Sequence, residues 1–254
     1  MLFLCFITAL CSASFIEKRS DDGGRPGQVH LAYYNETVRS VSWVTFENVT
    51  QYLYVKEVSD KKLKVGSLKP DVKTEVKKYA QFLKDNIYPA TTELWIEPQN
   101  KTDKRFIHHA VFPVEAGTKY QYMVGSETWV TDSFFFSTME ADDVNVELLI
   151  YGDMGLENAY THDLATNMIK HLNIDMIMHI GDFCYNLYEL NGTKSDKWMD
   201  FIEPIATQVP YQTIPGNHEA FFNFTHYESR YKWVSEQGNP HFYRVWFELY
   251  CLLL

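Results

Sequence analysis

No stretch of this 254-residue sequence stays apolar for the roughly 20 residues that a bilayer-spanning helix needs, so nothing in it reads as a membrane span. Cysteine is scarce. Two of the four, Cys5 and Cys11, fall in the first 14 residues, and Cys184 with Cys251 is too few for a disulfide framework. Twelve glycines and nine prolines rule out a collagen-like chain, and no repeat or low-complexity segment is evident. Positive charge is also short. Lys and Arg number 23 against 33 Asp and Glu, a net −10, the wrong sign for sequence-independent binding of nucleic acid. What remains, 46% hydrophobic and 22% charged, is the composition of a packed globular protein. The acidity is local. Residues 15–140 carry seventeen charges of each sign, whereas residues 141–254 carry six basic and sixteen acidic ones and six of the nine histidines. A neutral half before a carboxylate- and histidine-rich half reads as a scaffold followed by a metal- or catalysis-bearing domain.

Met1–Ser14, MLFLCFITALCSAS, is an apolar run ending in small residues, and it reads as a secretory signal rather than an N-terminal core strand. Five Asn-x-Ser/Thr sequons, at Asn35, Asn48, Asn100, Asn191 and Asn223, are more than chance usually supplies among 13 asparagines. The expectation is a secreted or lysosomal-type glycoprotein.

From Gln28 to Thr138 polar and apolar residues alternate over short segments: 28–34, 40–46, 52–58, 105–114, 119–125 and 134–138. Strands so spaced, with no strong helix signal, predict an antiparallel sandwich with Val41 and Trp43 in its core. A lysine cluster between them (Lys61, Lys62, Lys64, Lys69, Lys73, Lys77, Lys78) reads as a solvated loop or guarded edge rather than an anion patch. After Met139 the pattern changes. Apolar runs at 146–151, 174–180 and 209–214 alternate with helical spacing at 160–172 (Leu164, Met168, Ile169, Leu172) and 197–206 (Trp198, Phe201, Ile202, Ile205). Strand–helix–strand–helix–strand predicts a buried, largely parallel sheet, whose sites lie beyond the strand carboxyl ends.

Each of those three ends carries a polar cluster: Gly152-Asp153-Met154-Gly155, Gly181-Asp182-Phe183-Cys184-Tyr185-Asn186 and Gly216-Asn217-His218-Glu219. Glycine permits sharp turns and close approach, and Asp153, Asp182 and Asn217 would converge at one sheet edge. Oxygen ligands from separate strands suit hard cations, and a carboxylate can bridge two of them. Two metals so held clamp the entering and leaving oxygens of a phosphoryl displacement.

These clusters resemble the Gly-Asp-x-Gly, Gly-Asp-x-x-Tyr and Gly-Asn-His-Glu motifs of the purple acid phosphatases, within the calcineurin-like metallophosphoesterases. The resemblance covers residues 27–243 and is closest to the type with an N-terminal fibronectin-like domain; Gly117–Tyr122 is similar to the turn and strand near the fibronectin type III tyrosine. It implies a mixed fold. Residues 1–14 would be the signal, 27–139 an all-β fibronectin type III-like sandwich, and 145–254 the first half of an α/β metallophosphoesterase domain.

By resemblance, Asp153 and Tyr185 bind ferric iron, Asp182 bridges, and Asn217 binds a second, divalent metal: Zn, Fe or Mn. Gly155 stands where general metallophosphoesterases place a histidine, and Tyr185 replaces it. A phenol ordinarily titrates near 10, so a strongly charged ion is needed to hold it ionised, which favours iron and a visible charge-transfer band. His218 would contact the phosphate or assist protonation of the leaving group. The implied activity is hydrolysis of small phosphate monoesters. A non-catalytic secreted glycoprotein and a metal-dependent nucleotidase or phosphodiesterase are the alternatives, the latter disfavoured by Gly155 and Tyr185. Natural substrate, second metal and oligomeric state are not legible.

His179, inside an apolar run, reads as a core histidine. Cys184 is expected to pack against the core because strand alternation from Asp182 points it away from the site. Glu219 either orients His218 or is solvated. The family's downstream Val-x-x-His and Gly-His-x-His segments do not occur, and His226 and His241 have the wrong neighbours. The tail RVWFELYCLLL departs from the family. A C-terminally truncated member lacking three histidine ligands is therefore expected.

Overall fold

Alternating apolar residues build the first half, and the strands they form are buried more deeply than alternation alone implies. The computed structural model describes residues 23–58, 86–141, 145–157, 159–247 and 250–253. The leader and the lysine cluster lie outside these residues. Strands β1 (Gly27–Asn35), β2 (Val38–Thr45), β3 (Tyr52–Glu57), β4 (Ile87–Pro89), β5 (Thr91–Ile96), β6 (Lys104–Pro113), β7 (Lys119–Gly125) and β8 (Phe134–Ser137) form two antiparallel sheets, ordered β1-β2-β6-β5 and β4-β3-β7-β8. Residues two apart face one core: Val29 and Leu31, Val41 and Trp43, Leu53 and Val55, Ala110 and Phe112, Tyr120, Tyr122 and Val124. Each such side chain contributes about 1.5–3 kcal/mol by leaving water.

The sequence left β4 and β5 unread. In β5 the period is inverted: Leu94 and Ile96 are exposed, while Trp95 and, just past the strand, Glu97 are buried.

The opposite face of β1 is covered by the second half of the chain. Gln28, His30 and Ala32 are buried there. As an edge strand β1 has outward N–H groups, and two are met by side chains of the second half: Val29 donates to Glu203 Oε2 (2.9 Å) and Tyr33 to Gln212 Oε1 (2.8 Å). Edge pairing with another chain is thereby blocked.

The second half is a three-stranded parallel sheet with helices. Strand β9 (Leu148–Tyr151), helix α1 (Tyr160–His171), β10 (Met176–Ile180), α2 (Thr193–Ala206) and β11 (Tyr211–Ile214) follow in turn, and the sheet order is β11-β10-β9. A 3-10 turn (Asn217–Glu219), α3 (Thr225–Tyr231) and an antiparallel pair, β12 (Arg244–Phe247) and β13 (Tyr250–Leu253), come after. In α2 Trp198, Ile202 and Ile205 are fully buried, as the spacing predicts. In α1 the expected stripe is rotated. Ala165 is fully buried with Met168 and Ile169 packed on the core, whereas Leu164 and Leu172 face solvent.

Buried charge joins the halves. Arg105 on β6 holds Asp196 on α2 through two short hydrogen bonds (Nε–Oδ1 3.0 Å, Nη2–Oδ2 2.7 Å), and Arg230 on α3 reaches the same carboxylate at 3.1 Å. Burial opposes the Asp196 charge, but the Arg105 hydrogen bonds and the Arg230 charge hold its carboxyl below the usual range. Both guanidiniums also lie over the Trp95 ring, at 5.2 and 5.3 Å.

Candidate active site

Parallel strands β9, β10 and β11 all point their carboxyl ends the same way, so the three polar clusters meet at one edge of the sheet. Direct contacts stitch them together. The Asp153 N–H donates to the Gly181 carbonyl at 3.2 Å, joining the first loop to the second. Asp153 and Asp182 both adopt left-handed backbone, each with φ 57°. Such a conformation is tolerated by aspartate and turns the chain sharply at the strand end.

The second and third loops touch so closely that only glycine fits. Gly181 has φ 85°, and a Cβ there would lie 2.8 Å from the Gly216 backbone. A Cβ on Gly216 would in turn collide with the Asp182 carboxylate. Small size, more than conformational freedom, is what Gly216 supplies.

Glu219 settles a reading that the sequence left open, and the outcome is neither alternative. The residue is 2% exposed, and its carboxylate accepts three backbone N–H groups: Asp182 (2.9 Å) and Gly216 (2.8 Å) on Oε2, Phe183 (2.9 Å) on Oε1. Burial raises its pKa above the ordinary carboxylate value, and the three hydrogen bonds oppose that rise. Glu219 is thus a strut between the second and third clusters.

The sequence-predicted ligands are brought together unequally. Tyr185 Oη donates to Asp153 Oδ1 at 2.6 Å, so phenol and carboxylate from different loops are already in contact. Asp182 Oδ1 accepts the His218 backbone N–H at 3.2 Å, and the His218 ring sits 4.7 Å from that of Tyr185. Asn217 is exposed at the start of the 3-10 turn, and among the described residues no hydrogen bond joins its side chain to the other three. Nor does any group of three or more His, Cys, Asp or Glu side chains gather for a metal among the described residues. The donor set is oxygen alone: two carboxylates, a phenol and a carboxamide.

The other candidates are structural. His179 is fully buried and its Nδ1 shares a hydrogen bond with the Tyr211 hydroxyl (2.9 Å); burial pushes its pKa down to about 3. Cys184 is buried as expected, but not through strand alternation. It lies in a loop with φ 63°, its Sγ on the Lys194 carbonyl, and burial pushes its thiol up to about 12. His226 is buried beside Trp95 and Glu97, away from the site. Of the sequons, Asn48, Asn191 and Asn223 are exposed, while Asn35 and Asn100 are half-buried in turns closed by Thr37 and Thr102.

Sequence reasoning missed Asn186. Its Oδ1 lies 2.6 Å from His218 Nδ1, at hydrogen-bond distance. The residue stands inside the second cluster, but nothing in its spacing separates it from a loop asparagine.

Residues 146–252 match the calcineurin-like phosphoesterase family, a match that runs past the point where the sequence resemblance was expected to stop. The chain is similar to acid phosphatase type 7 of Danio rerio (37% identity over half of this chain and 29% of the relative). It is also similar to acid phosphatase type 7 of Homo sapiens (27% identity over 81% of this chain and 43% of the relative). Relatives from Arabidopsis thaliana named as probable inactive purple acid phosphatases match as well. The structure of a purple acid phosphatase from yellow lupin seeds superposes with a TM-score of 0.66 at 19% identity, over 91% of this chain and 44% of the lupin chain. This likeness shows the fold, which is mixed and mostly sheet. The chain spans less than half the length of each of these two acid phosphatases and of the lupin chain.

Proposed function

We propose that this chain, which carries a calcineurin-like phosphoesterase domain and is homologous to acid phosphatase type 7 and the purple acid phosphatases, holds the iron-binding part of a centre that hydrolyses phosphate monoesters. The observation that carries this reading is the 2.6 Å contact between Tyr185 Oη and Asp153 Oδ1, with Asp182 on the adjoining loop. A phenol on a carboxylate shares one proton, and a hard, highly charged cation is suited to take that proton's place. In this reading Asp153 and Tyr185 would hold ferric iron, Asp182 would be shared between the two ions, and Asn217 would contribute to the second, divalent one (Zn, Fe or Mn). When bound, the two ions activate a water and neutralise charge on the phosphoryl group.

The protein's own residues supply the rest. Glu219 fixes the separation of Asp182 from Asn217, and the bare Gly216 leaves room for the Asp182 carboxylate. His218 exchanges a proton with the leaving oxygen. Without nitrogen donors among these ligands, the 254-residue chain by itself should retain its second ion weakly and turn over slowly.

The remaining parts of the proposal rest on separate observations. Residues 27–139 form a fibronectin type III-like domain, and 145–254 form part of the catalytic domain. Support comes from the Tyr120 hydroxyl, which accepts the Glu115 N–H at 2.8 Å, the corner arrangement of immunoglobulin-like sandwiches. Secretion with loss of residues 1–14, and glycosylation at the five sequons, follow from the leader and the sequons. No helix among the described residues is long and apolar enough to cross a membrane.

Purified residues 15–254 loaded with ferric iron and zinc, then tested for bound metal and for cleavage of a chromogenic phosphate monoester, provide the test. One tightly held iron per chain with weak turnover is expected. A chain that retains no iron would leave the non-catalytic glycoprotein as the better reading.

A further inference from the structure

Asn186 presents its carbonyl oxygen, not its amide nitrogen, to His218, and the surrounding contacts dictate that choice. Asn186 Nδ2 donates to Glu189 Oε1 at 2.8 Å. Glu189 Oε2 is in turn held by Lys194 Nζ at 2.7 Å, and the same ammonium donates to the Tyr185 carbonyl at 2.8 Å. An ionised carboxylate only accepts hydrogen bonds, so the Asn186 amide must turn its NH₂ toward Glu189. Its Oδ1 then faces His218 Nδ1 at 2.6 Å, and a carbonyl oxygen accepts only from a protonated nitrogen.

We infer that Asn186 is a positioning residue that holds His218 in the Nδ1–H form, leaving Nε2 as the ring nitrogen able to take or give a proton. The relay runs from Lys194 in the first turn of α2, through Glu189 in the loop before it and Asn186 in the second cluster, to His218 in the third. Its chemical meaning rests on the phosphatase proposal: Nε2 is then the atom that serves the leaving oxygen, while Nδ1 anchors the ring. Neither Asn186, Glu189 nor Lys194 needs to touch substrate for this.

The tautomer can be read without metal or substrate. The ¹⁵N-histidine-labelled, metal-free chain is placed at a pH well above the ordinary imidazole value of about 6.5. Long-range ¹H–¹⁵N spectra then identify the protonated ring nitrogen, with His218→Gln assigning the signals. The wild type should show His218 protonated at Nδ1. Asn186→Asp, which keeps an acceptor oxygen, should preserve that pattern, and Asn186→Leu should lose it with the backbone spectrum otherwise unchanged. In Glu189→Gln the Lys194 ammonium should claim the amide oxygen, turning the NH₂ to Asn186; the Asn186 amide then flips and His218 shifts toward the Nε2–H form, which serves as the test if Asn186→Leu fails to fold. A wild type protonated at Nε2 would overturn the inference, as would either Asn186→Leu or Glu189→Gln keeping a pure Nδ1–H pattern. If the tautomer is as expected but the chain binds no iron, the phosphatase proposal fails and the positioning role stands.

Discussion

Buried Glu219 shows how a single residue sets the geometry of a site it does not enter. Three backbone N–H groups from two loops converge on its two oxygens. A glutamine has one carbonyl oxygen and would turn its NH₂ toward at least one of those donors. An orphaned buried donor costs about 1–3 kcal/mol, so Glu219→Gln should lower stability by that amount in urea unfolding. An unchanged midpoint would mean that the three contacts are not formed in solution. The sequence left Glu219 ambiguous because its role depends on which backbone atoms come within reach, and that is decided by packing two loops at Gly181 and Gly216. The placement of Asp153, Asp182 and Tyr185 at neighbouring strand ends, in contrast, was legible. Their chemistry is tied to motifs at strand ends, and the strand ends were plain.

The elements most readable in sequence were those whose periodicity coincides with burial. Helix α2 follows its pattern, with Trp198 fully buried, and Trp43 in β2 and Tyr122 in β7 face the core as alternation predicts, although the other face of β2 is buried too. Where a second surface covers an element, the pattern misleads. Leu94 and Ile96 in β5 point outward because Trp95 and Glu97 face Arg105 and His226. In α1 the small Ala165 takes the buried position that Leu164 was expected to fill, since α1 packs closely where Ala165 lies. Strand β1 carries a prediction at this scale. Glu203 reaches from α2 to the Val29 N–H, an outward edge donor. Glu203→Ala should orphan that donor and cost about 1–3 kcal/mol, measured by urea unfolding and by faster amide exchange at Val29. Protection at Val29 unchanged from wild type would show that the edge is covered by other means.

Across the whole molecule, histidines buried in neutral form make the fold sensitive to acid. Burial pushes the pKa of His108 and His109 down to about 4, and that of His179 and His226 down to about 3. An unfolded chain takes up these protons below about 6.5, whereas the folded chain takes them up only near 4 and 3. Between those limits the unfolded state binds more protons, so stability is full above about 6.5 and is lost as pH falls. Each group contributes up to about 1.4 kcal/mol per pH unit. Urea midpoints should therefore drop steeply between pH 7 and about pH 5. A flat profile would mean that these rings are solvated. The interface that buries His226, with Arg105, Asp196 and Arg230, was invisible in sequence because its members come from β6, α2 and α3 and share no local pattern.

The most direct test of the site is the visible absorption of the chain loaded with ferric iron. A phenolate held on iron by Asp153 and Tyr185 should give a charge-transfer band, and Tyr185→Phe should abolish it while leaving the fold intact, since Tyr185 is only partly buried. No band in the loaded wild type, or a band of equal strength in Tyr185→Phe, would contradict the proposed metal centre.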